Sequence, residues 1–165
     1  MNLSAIVEQA RNAFASGKTL DVKFRRRQLE KLYSLVEENE SLFIQAVHED
    51  LKKPSFEAKM IETDYVLNDI RGMLFNLKEY VKPKKVAKNL VTAFDDGFIH
   101  SEPYGVVLII GTWNYPLMVC FSPLIGAIAA GNCAVVKPSE IAPNSAALMA
   151  KLVPLYLDRV RMTTS

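Results

Sequence analysis

Apolar residues recur every three or four positions through the first eighty residues, which predicts helices. Ser4 opens a short one with Ile6, Ala10, Ala13 and Phe14 on one face, and Gly17 ends it. Asp21 precedes a second, with Leu29, Leu32, Tyr33 and Val36 at helical spacing. A third follows Glu40 and Ser41, carries Leu42, Phe43, Ala46, Val47 and Leu51, and closes at Pro54. Ser55 starts the longest helix, running to about Tyr80, in which Val66, Ile70, Met73, Leu74 and Leu77 repeat at three and four. Glu57 and Glu62 lie five residues apart and share no helical face, so both read as surface charge. Arg25, Arg26 and Arg27 suggest either phosphate binding or a solvated face. The i,i+4 pair Arg26 and Glu30 favours the second. Lys82 to Lys85 reads as a solvated basic turn, with no aromatic interleaved to stack on bases.

The pattern changes at Leu90. Two short stretches around Asp95-Asp96-Gly97 predict a hairpin, with His100 on it and no metal partner nearby. GVVLIIG then reads as a strand apolar on both faces. The helix PLMVCFSPLIGAIAAGN follows. Gly126, Ala127, Ala129 and Ala130 let it lie close to a sheet, Pro123 predicts a kink, and Gly131-Asn132 ends it. CAVVK is a second buried strand, and a last helix spans about Asn144 to Leu157 with Ala146, Ala147, Ala150, Val153 and Leu157 inward. Strand, helix and strand form a βαβ unit with parallel strands. The fold class is α/β: N-terminal helices followed by a partial parallel βαβα unit.

With 165 residues, 50% of them hydrophobic and 23% charged, the chain suits a single globular unit. A formal charge of +2 argues against a dedicated nucleic-acid or membrane-surface protein. Cys120 and Cys133 lie in apolar sequence without metal-type spacing, which predicts buried thiols and a cytoplasmic location. The N-terminus has no basic segment followed by a long apolar one, so no signal peptide is expected. From Pro103 to Val136 no Asp, Glu, Lys or Arg occurs. Gly111, Asn114, Pro116, Pro123 and Gly131-Asn132 cut that stretch into pieces well short of the ~20 residues a membrane span needs.

Candidate chemistry sits at the strand ends. In open parallel sheets ligands collect beyond the carboxyl ends of the strands. The first strand runs into Thr112-Trp113-Asn114 and the second into Lys137-Pro138-Ser139-Glu140, so both loops are expected at one edge. Asn114 would then face a crevice rather than hydrocarbon. A carboxamide donor there suits an oxyanion, while a Lys and a Glu suit a diol such as a ribose. The fingerprint GxGxxG is absent, so the pattern reaches only a small-molecule crevice of nucleotide type.

EPYGVVLIIGTWNYP and PLIGAIAAGNCAVVKPSE resemble the start of the cofactor domain of the aldehyde dehydrogenases. The N-terminal helices and the short segment before EPYG are most similar to the class 3, fatty aldehyde dehydrogenase-like, branch. The resemblance covers about residues 3 to 158. It implies oxidation of aldehydes to carboxylic acids with NAD or NADP, through a cysteine thiolate, a hydride transfer and a Glu-activated water. By the same resemblance Asn114 donates to the oxyanion, Thr112 and Trp113 border the nicotinamide, and Tyr115 borders the substrate passage. Lys137 and Glu140 hold the adenosine ribose, in a loop shaped by Pro138 and Ser139. The implied division is a helical part over 1–89, a hairpin like the oligomerisation strands over 90–104, the first βαβα of a Rossmann-like domain over 105–158, and a divergent tail over 159–165.

The resemblance places the catalytic cysteine, the general-base Glu and the pyrophosphate glycines outside this chain, and RVRMTTS shows no strand character. Neither Cys120 nor Cys133 has the surroundings of a nucleophile. Three readings follow: a truncated enzyme inactive alone, a fragment that binds nucleotide weakly through Lys137 and Glu140, or an interaction protein that forms homo-oligomers or associates with a full-length relative. Two strands apolar on both faces leave open edges, so aggregation or oligomerisation is expected of the isolated chain.

Overall fold

The computed structural model describes residues 3–87 and 94–158, together with the backbone of 160–162. Four helical segments come first: α1 (Leu3–Ala15), α2 (Val22–Glu38), α3 (Glu40–Leu51) and a long composite helix. The composite helix consists of α4 (Ser55–Ala58), a π-helical turn (Lys59–Thr63) and α5 (Asp64–Tyr80). Gly17, with φ 72°, turns the chain out of α1. Asp21 caps α2 as its position predicts, accepting from the amides of Lys23 at 2.9 Å and Phe24 at 3.2 Å.

A short antiparallel ladder joins β1 (Lys84–Lys85) to β2 (Phe98–Ile99). Lys84 and Lys85 are therefore strand residues with exposed side chains, not a turn. The first arm of the expected hairpin, around Leu90–Phe94, lies outside the described residues apart from exposed Phe94.

The main sheet contains β3 (Val106–Ile110), β4 (Cys133–Lys137) and β5 (Val160–Met162), all parallel, with β4 in the middle. Helices α6 (Met118–Ala130) and α7 (Pro143–Tyr156) connect them in turn. The tail thus forms a strand where no strand was expected, because the buried edge of β4 offers it a backbone ladder. Side chains alternate across β4. Ala134 and Val136 join the main core, whereas Cys133 and Val135 pack under α1 with Ala10.

Burial on both faces holds for β4 but not for β3. Leu108 is 63% exposed and Ile110 65%, while Ile109 is buried. Val106, Leu108 and Ile110 share the α1 side, and Val106 is the one that packs with Ile6, Ala13 and Phe14 of α1 in the buried cluster. The open half of β3 is the part no helix covers.

The main core gathers Leu29, Leu32, Val36, Val66, Ile70 and Leu77 against Phe121, Leu124 and Ile125 of α6. Phe43 meets Phe121 edge to face with ring centroids 5.9 Å apart. On α7 the buried residues are Ser145, Met149, Leu152 and Val153, with Leu157 just beyond, while Ala147 is exposed. The inner face is rotated from the expected alanine stripe because the larger side chains take the core.

Arg25 is not solvated. It is buried and donates through Nε to Thr19 O at 2.7 Å, Nη1 to Ala129 O at 3.1 Å and Nη2 to Leu20 O at 3.2 Å. It thereby closes the carboxyl end of α6, where Gly131 adopts φ 91° and a Cβ would lie 2.6 Å from the guanidinium. Burial lowers the Arg25 pKa from its ordinary value, opposed by the nearby Asp21 carboxylate. Arg26 does pair with Glu30, at 3.8 Å. Among the described residues no helix is long and apolar enough to cross a membrane.

Candidate functional site at the strand ends

Strands β3 and β4 run in register from Val106 beside Cys133 to Ile110 beside Lys137, so both end at one level. The Gly111 amide donates to Lys137 O at 2.9 Å and ties the two loops at their roots. Only glycine fits at 111. A Cβ there would lie 2.3 Å from Cys120 Sγ, with Lys137 O and Pro138 Cα at 3.7 Å. Close packing of α6 under the strand end sets that requirement.

Beyond Gly111, Thr112, Trp113 and Asn114 are exposed. Asn114 therefore bears no burial penalty. Thr112 Oγ1 donates to Asn114 Oδ1 at 2.7 Å, which occupies the carbonyl end of the carboxamide. Its Nδ2 hydrogens have no partner among the described residues and remain available as donors. Tyr115 O accepts from Val119 N at 3.0 Å and leads the turn into α6.

On the neighbouring loop Lys137 Nζ donates to Glu140 Oε2 at 2.6 Å and to Pro138 O at 3.2 Å. The hydrogen bond from Lys137 holds the Glu140 carboxyl below the usual carboxylate range. Pro138 and Ser139 are buried, and Ser139 Oγ accepts from Ile141 N at 3.2 Å, fixing the bend before α7. The pair presents one donor and one acceptor side by side at the surface. That complements two vicinal hydroxyls, so these residues fit the ribose of a nucleotide.

Sequence reasoning missed two residues here. Glu62, expected at the surface, is fully buried, whereas Glu57 is half-buried. Its Oε2 accepts from Leu117 N at 3.1 Å and Met118 N at 3.0 Å, and its Oε1 from Lys53 Nζ at 3.0 Å. Lys53 Nζ also donates to Asn114 O at 2.7 Å and lies 4.0 Å from the centroid of the Tyr115 ring. The signal was present. Ala58, Glu62, Val66 and Ile70 recur at four and are all fully buried, so Glu62 occupies the apolar stripe of its helix.

Cys120 is buried beneath the turn, and burial pushes its thiol up to about 12, with the Glu62 charge adding and Lys137 opposing. A thiol so raised is no nucleophile near neutrality. Cys133 is buried inside β4, and His100 is exposed directly after β2. No cluster of three or more His, Cys, Asp or Glu suited to a metal occurs among the described residues.

Known proteins resemble this chain in sequence and in fold. A family model described as "Aldehyde dehydrogenase family" matches residues 1–155. "Aldehyde dehydrogenase, dimeric NADP-preferring" of Canis lupus familiaris is 48% identical over 157 residues, covering 95% of this chain and 35% of that protein. Aldehyde dehydrogenase family 3 member B1 of Bos taurus is 45% identical over 153 residues, covering 93% of this chain and 33% of its own length. The substrate-bound structure of Staphylococcus aureus AldH superposes with a TM-score of 0.97 at 36% identity, covering 100% of this chain and 37% of that one. The chain thus spans about a third of the length of the relatives it matches. With a family model matched over nearly all its residues, and the N-terminal part of a solved member reproduced in its fold, this chain belongs to the aldehyde dehydrogenase family.

Proposed function

We propose that this chain contributes the oxyanion donor and the nucleotide-ribose loop of an NAD(P)-dependent oxidation of aldehydes to carboxylic acids. The observation that carries the reading is the joining of the two strand-end loops by the Gly111 to Lys137 hydrogen bond, with the Asn114 carboxamide exposed beyond it. Asn114 keeps its Nδ2 hydrogens for an oxygen that gains negative charge as a thiolate adds to the aldehyde carbonyl. That thiolate comes from outside the described residues, since Cys120 and Cys133 are buried. Lys137 donates to one ribose hydroxyl and Glu140 accepts from the other, while Pro138 and Ser139 keep the loop in place. Thr112 and Trp113 flank the nicotinamide end, and Tyr115 lines the aldehyde's approach. NAD or NADP, when bound, accepts the hydride that leaves the aldehyde carbon. Near-balanced charge and two buried thiols favour a cytoplasmic location.

Titration calorimetry with NAD and NADP at millimolar levels tests the cofactor part. The wild-type chain is expected to give saturable heat that Lys137→Ala and Glu140→Ala abolish. Equal heats in all three would refute the assignment of that loop. In an active polypeptide carrying this segment, Asn114→Ala is expected to lower kcat by about 10²–10³-fold. An unchanged kcat would remove Asn114 from the mechanism.

A second reading has its own support in the exposed Leu108 and Ile110 of β3. They suit association with another copy or with a full-length relative, and the segment then acts without catalysis. Co-expression followed by size-exclusion chromatography should give a mixed species, and only separate peaks would end that reading.

A further inference from the structure

We propose that Lys53 and Glu62 form a positioning pair that holds the Gly111–Pro116 turn, and with it the Asn114 carboxamide, in its working geometry. The proposal rests on the reading of Asn114 as oxyanion donor.

The pair is built for holding. Glu62 has no exposed side-chain surface, and the Lys53 side chain is 12% exposed. Among the described residues, every hydrogen bond their side chains make besides the one between them goes to the turn or to the helix that leaves it. Glu62 Oε2 takes the Leu117 and Met118 amides, two of the donors that the start of α6 cannot satisfy internally. Leu117 supplies no side-chain cap of its own. A carboxylate at that end also meets the positive pole of the helix. Lys53 Nζ takes the Asn114 carbonyl and covers the Tyr115 ring.

Asn114 is consequently fixed at three points by three different elements. Upstream, Gly111 N bonds to Lys137 O of β4. At its own carbonyl it receives Lys53 from the segment before α4, and downstream the Leu117 and Met118 amides bond to Glu62 of the π-helical turn. A donor that stabilises developing charge must be in place beforehand, and a loop gains that only from supporting contacts. An ion pair serving helix packing alone has no reason to spend its ammonium on the carbonyl of an exposed loop residue.

Trp113 is the single tryptophan of the chain and neighbours Asn114, so its fluorescence reports on the turn directly. Lys53→Met, Lys53→Arg, Glu62→Gln and the double variant Lys53→Met/Glu62→Leu are compared with wild type. The measurements are acrylamide quenching of Trp113, amide exchange at Leu117 and Met118, and far-UV circular dichroism. Trp113 is 51% exposed, so complete release raises its quenching about twofold at most. Lys53→Met is expected to approach that limit with unchanged dichroism, and Lys53→Arg to restore most of the difference. Glu62→Gln is expected to lose protection at Leu117 and Met118 by about tenfold. The double variant leaves no buried charge unpaired, so it keeps the fold testable if a single variant unfolds. Wild-type quenching in every folded variant would overturn the proposal. Asn114→Ala retains its backbone carbonyl and is expected to leave Trp113 quenching as in wild type. If that variant also retained full kcat in an active polypeptide, the oxyanion reading would fail while the positioning of the turn stood on its own data.

Discussion

Gly111→Ala isolates one steric contact at the junction of the two site loops. The Gly111 φ lies outside the left-handed region, so alanine strains no backbone there. The added Cβ would sit 2.3 Å from Cys120 Sγ, against an ordinary contact of about 3.5–4.0 Å. Cys120 is fully buried on α6, and one of its three staggered rotamers is disfavoured within a helix. Either the sulfur swings into occupied space or α6 shifts from the strand end. Overpacking of this kind destabilises by about 1–3 kcal/mol. Cys120→Ala removes the obstructing atom and by itself costs about 1 kcal/mol. In the double variant the new methyl group occupies part of the space the sulfur leaves. The two losses should therefore couple favourably by about 1–2 kcal/mol, well above the 0.3–0.5 kcal/mol scatter of independent sites. Urea unfolding followed by Trp113 fluorescence and by dichroism measures all four corners of the cycle. A double variant whose loss equals the sum of the single losses would refute the reasoning, because the clash would then not be with Cys120.

Two further outcomes follow from buried polar groups. Arg25→Met should lower stability by about 1.5–3 kcal/mol, because three buried or partly buried carbonyls lose a charged donor. Arg27→Met on the exposed side of the same helix should stay within about 0.5 kcal/mol, and equal losses in urea melts would contradict the burial argument. The Cys120 thiol is raised from 9.0 to about 12, so the unfolded chain releases that proton at lower pH than the folded one. Its contribution is whole below pH 9 and disappears as pH rises from 9 towards 12, with a limiting slope of about 1.4 kcal/mol per pH unit. Cys120→Ala should flatten the fall in stability over that window, and parallel profiles for wild type and variant would contradict it.

What could be read beforehand depended on distance along the chain. The Asp21 cap, the Gly17 and Gly131 helix ends and the parallel β3–α6–β4 unit each follow from residues within one segment. The level ending of the two strands also followed, because a βαβ connection fixes it. Arg25 was misread because the carbonyl it reaches at Ala129 lies on another helix, and only assembly reveals it. The exposed face of β3 was misread for a related reason: sequence shows that Leu108 and Ile110 are apolar, not whether α1 is long enough to cover them. Val160–Met162 has weak strand character alone and gains its ladder from β4. At the site, periodicity and spacing placed the Thr112–Asn114 and Lys137–Glu140 loops at one edge, while the roles proposed for them come from the resemblance of their motifs. The support from Lys53 and Glu62 was hidden behind an argument about Glu57 that set aside the position of Glu62 four residues before Val66.

Three carboxylates explain why the N-terminal helices belong to the site. Asp21 caps the helix that it precedes. Glu62 and Asp50 do the same work at long range. Glu62 accepts from Leu117 and Met118 at the start of α6, and Asp50 from the amides of Asn144 at 3.0 Å and Ser145 at 2.8 Å at the start of α7. Helices α6 and α7 are the two that leave the strand-end loops, so their N-termini face the edge where Asn114 and Lys137 stand. The amides at a helix start lack internal partners, and loops with few apolar contacts are the first parts of a fold to open. Each site loop is therefore anchored on its helix side by an acid delivered from the helical region, and on its strand side by the β3–β4 ladder. A segment limited to 105–158 would retain the ladder and lose both acids. Its loops would keep their sequence but not the geometry on which an oxyanion donor depends.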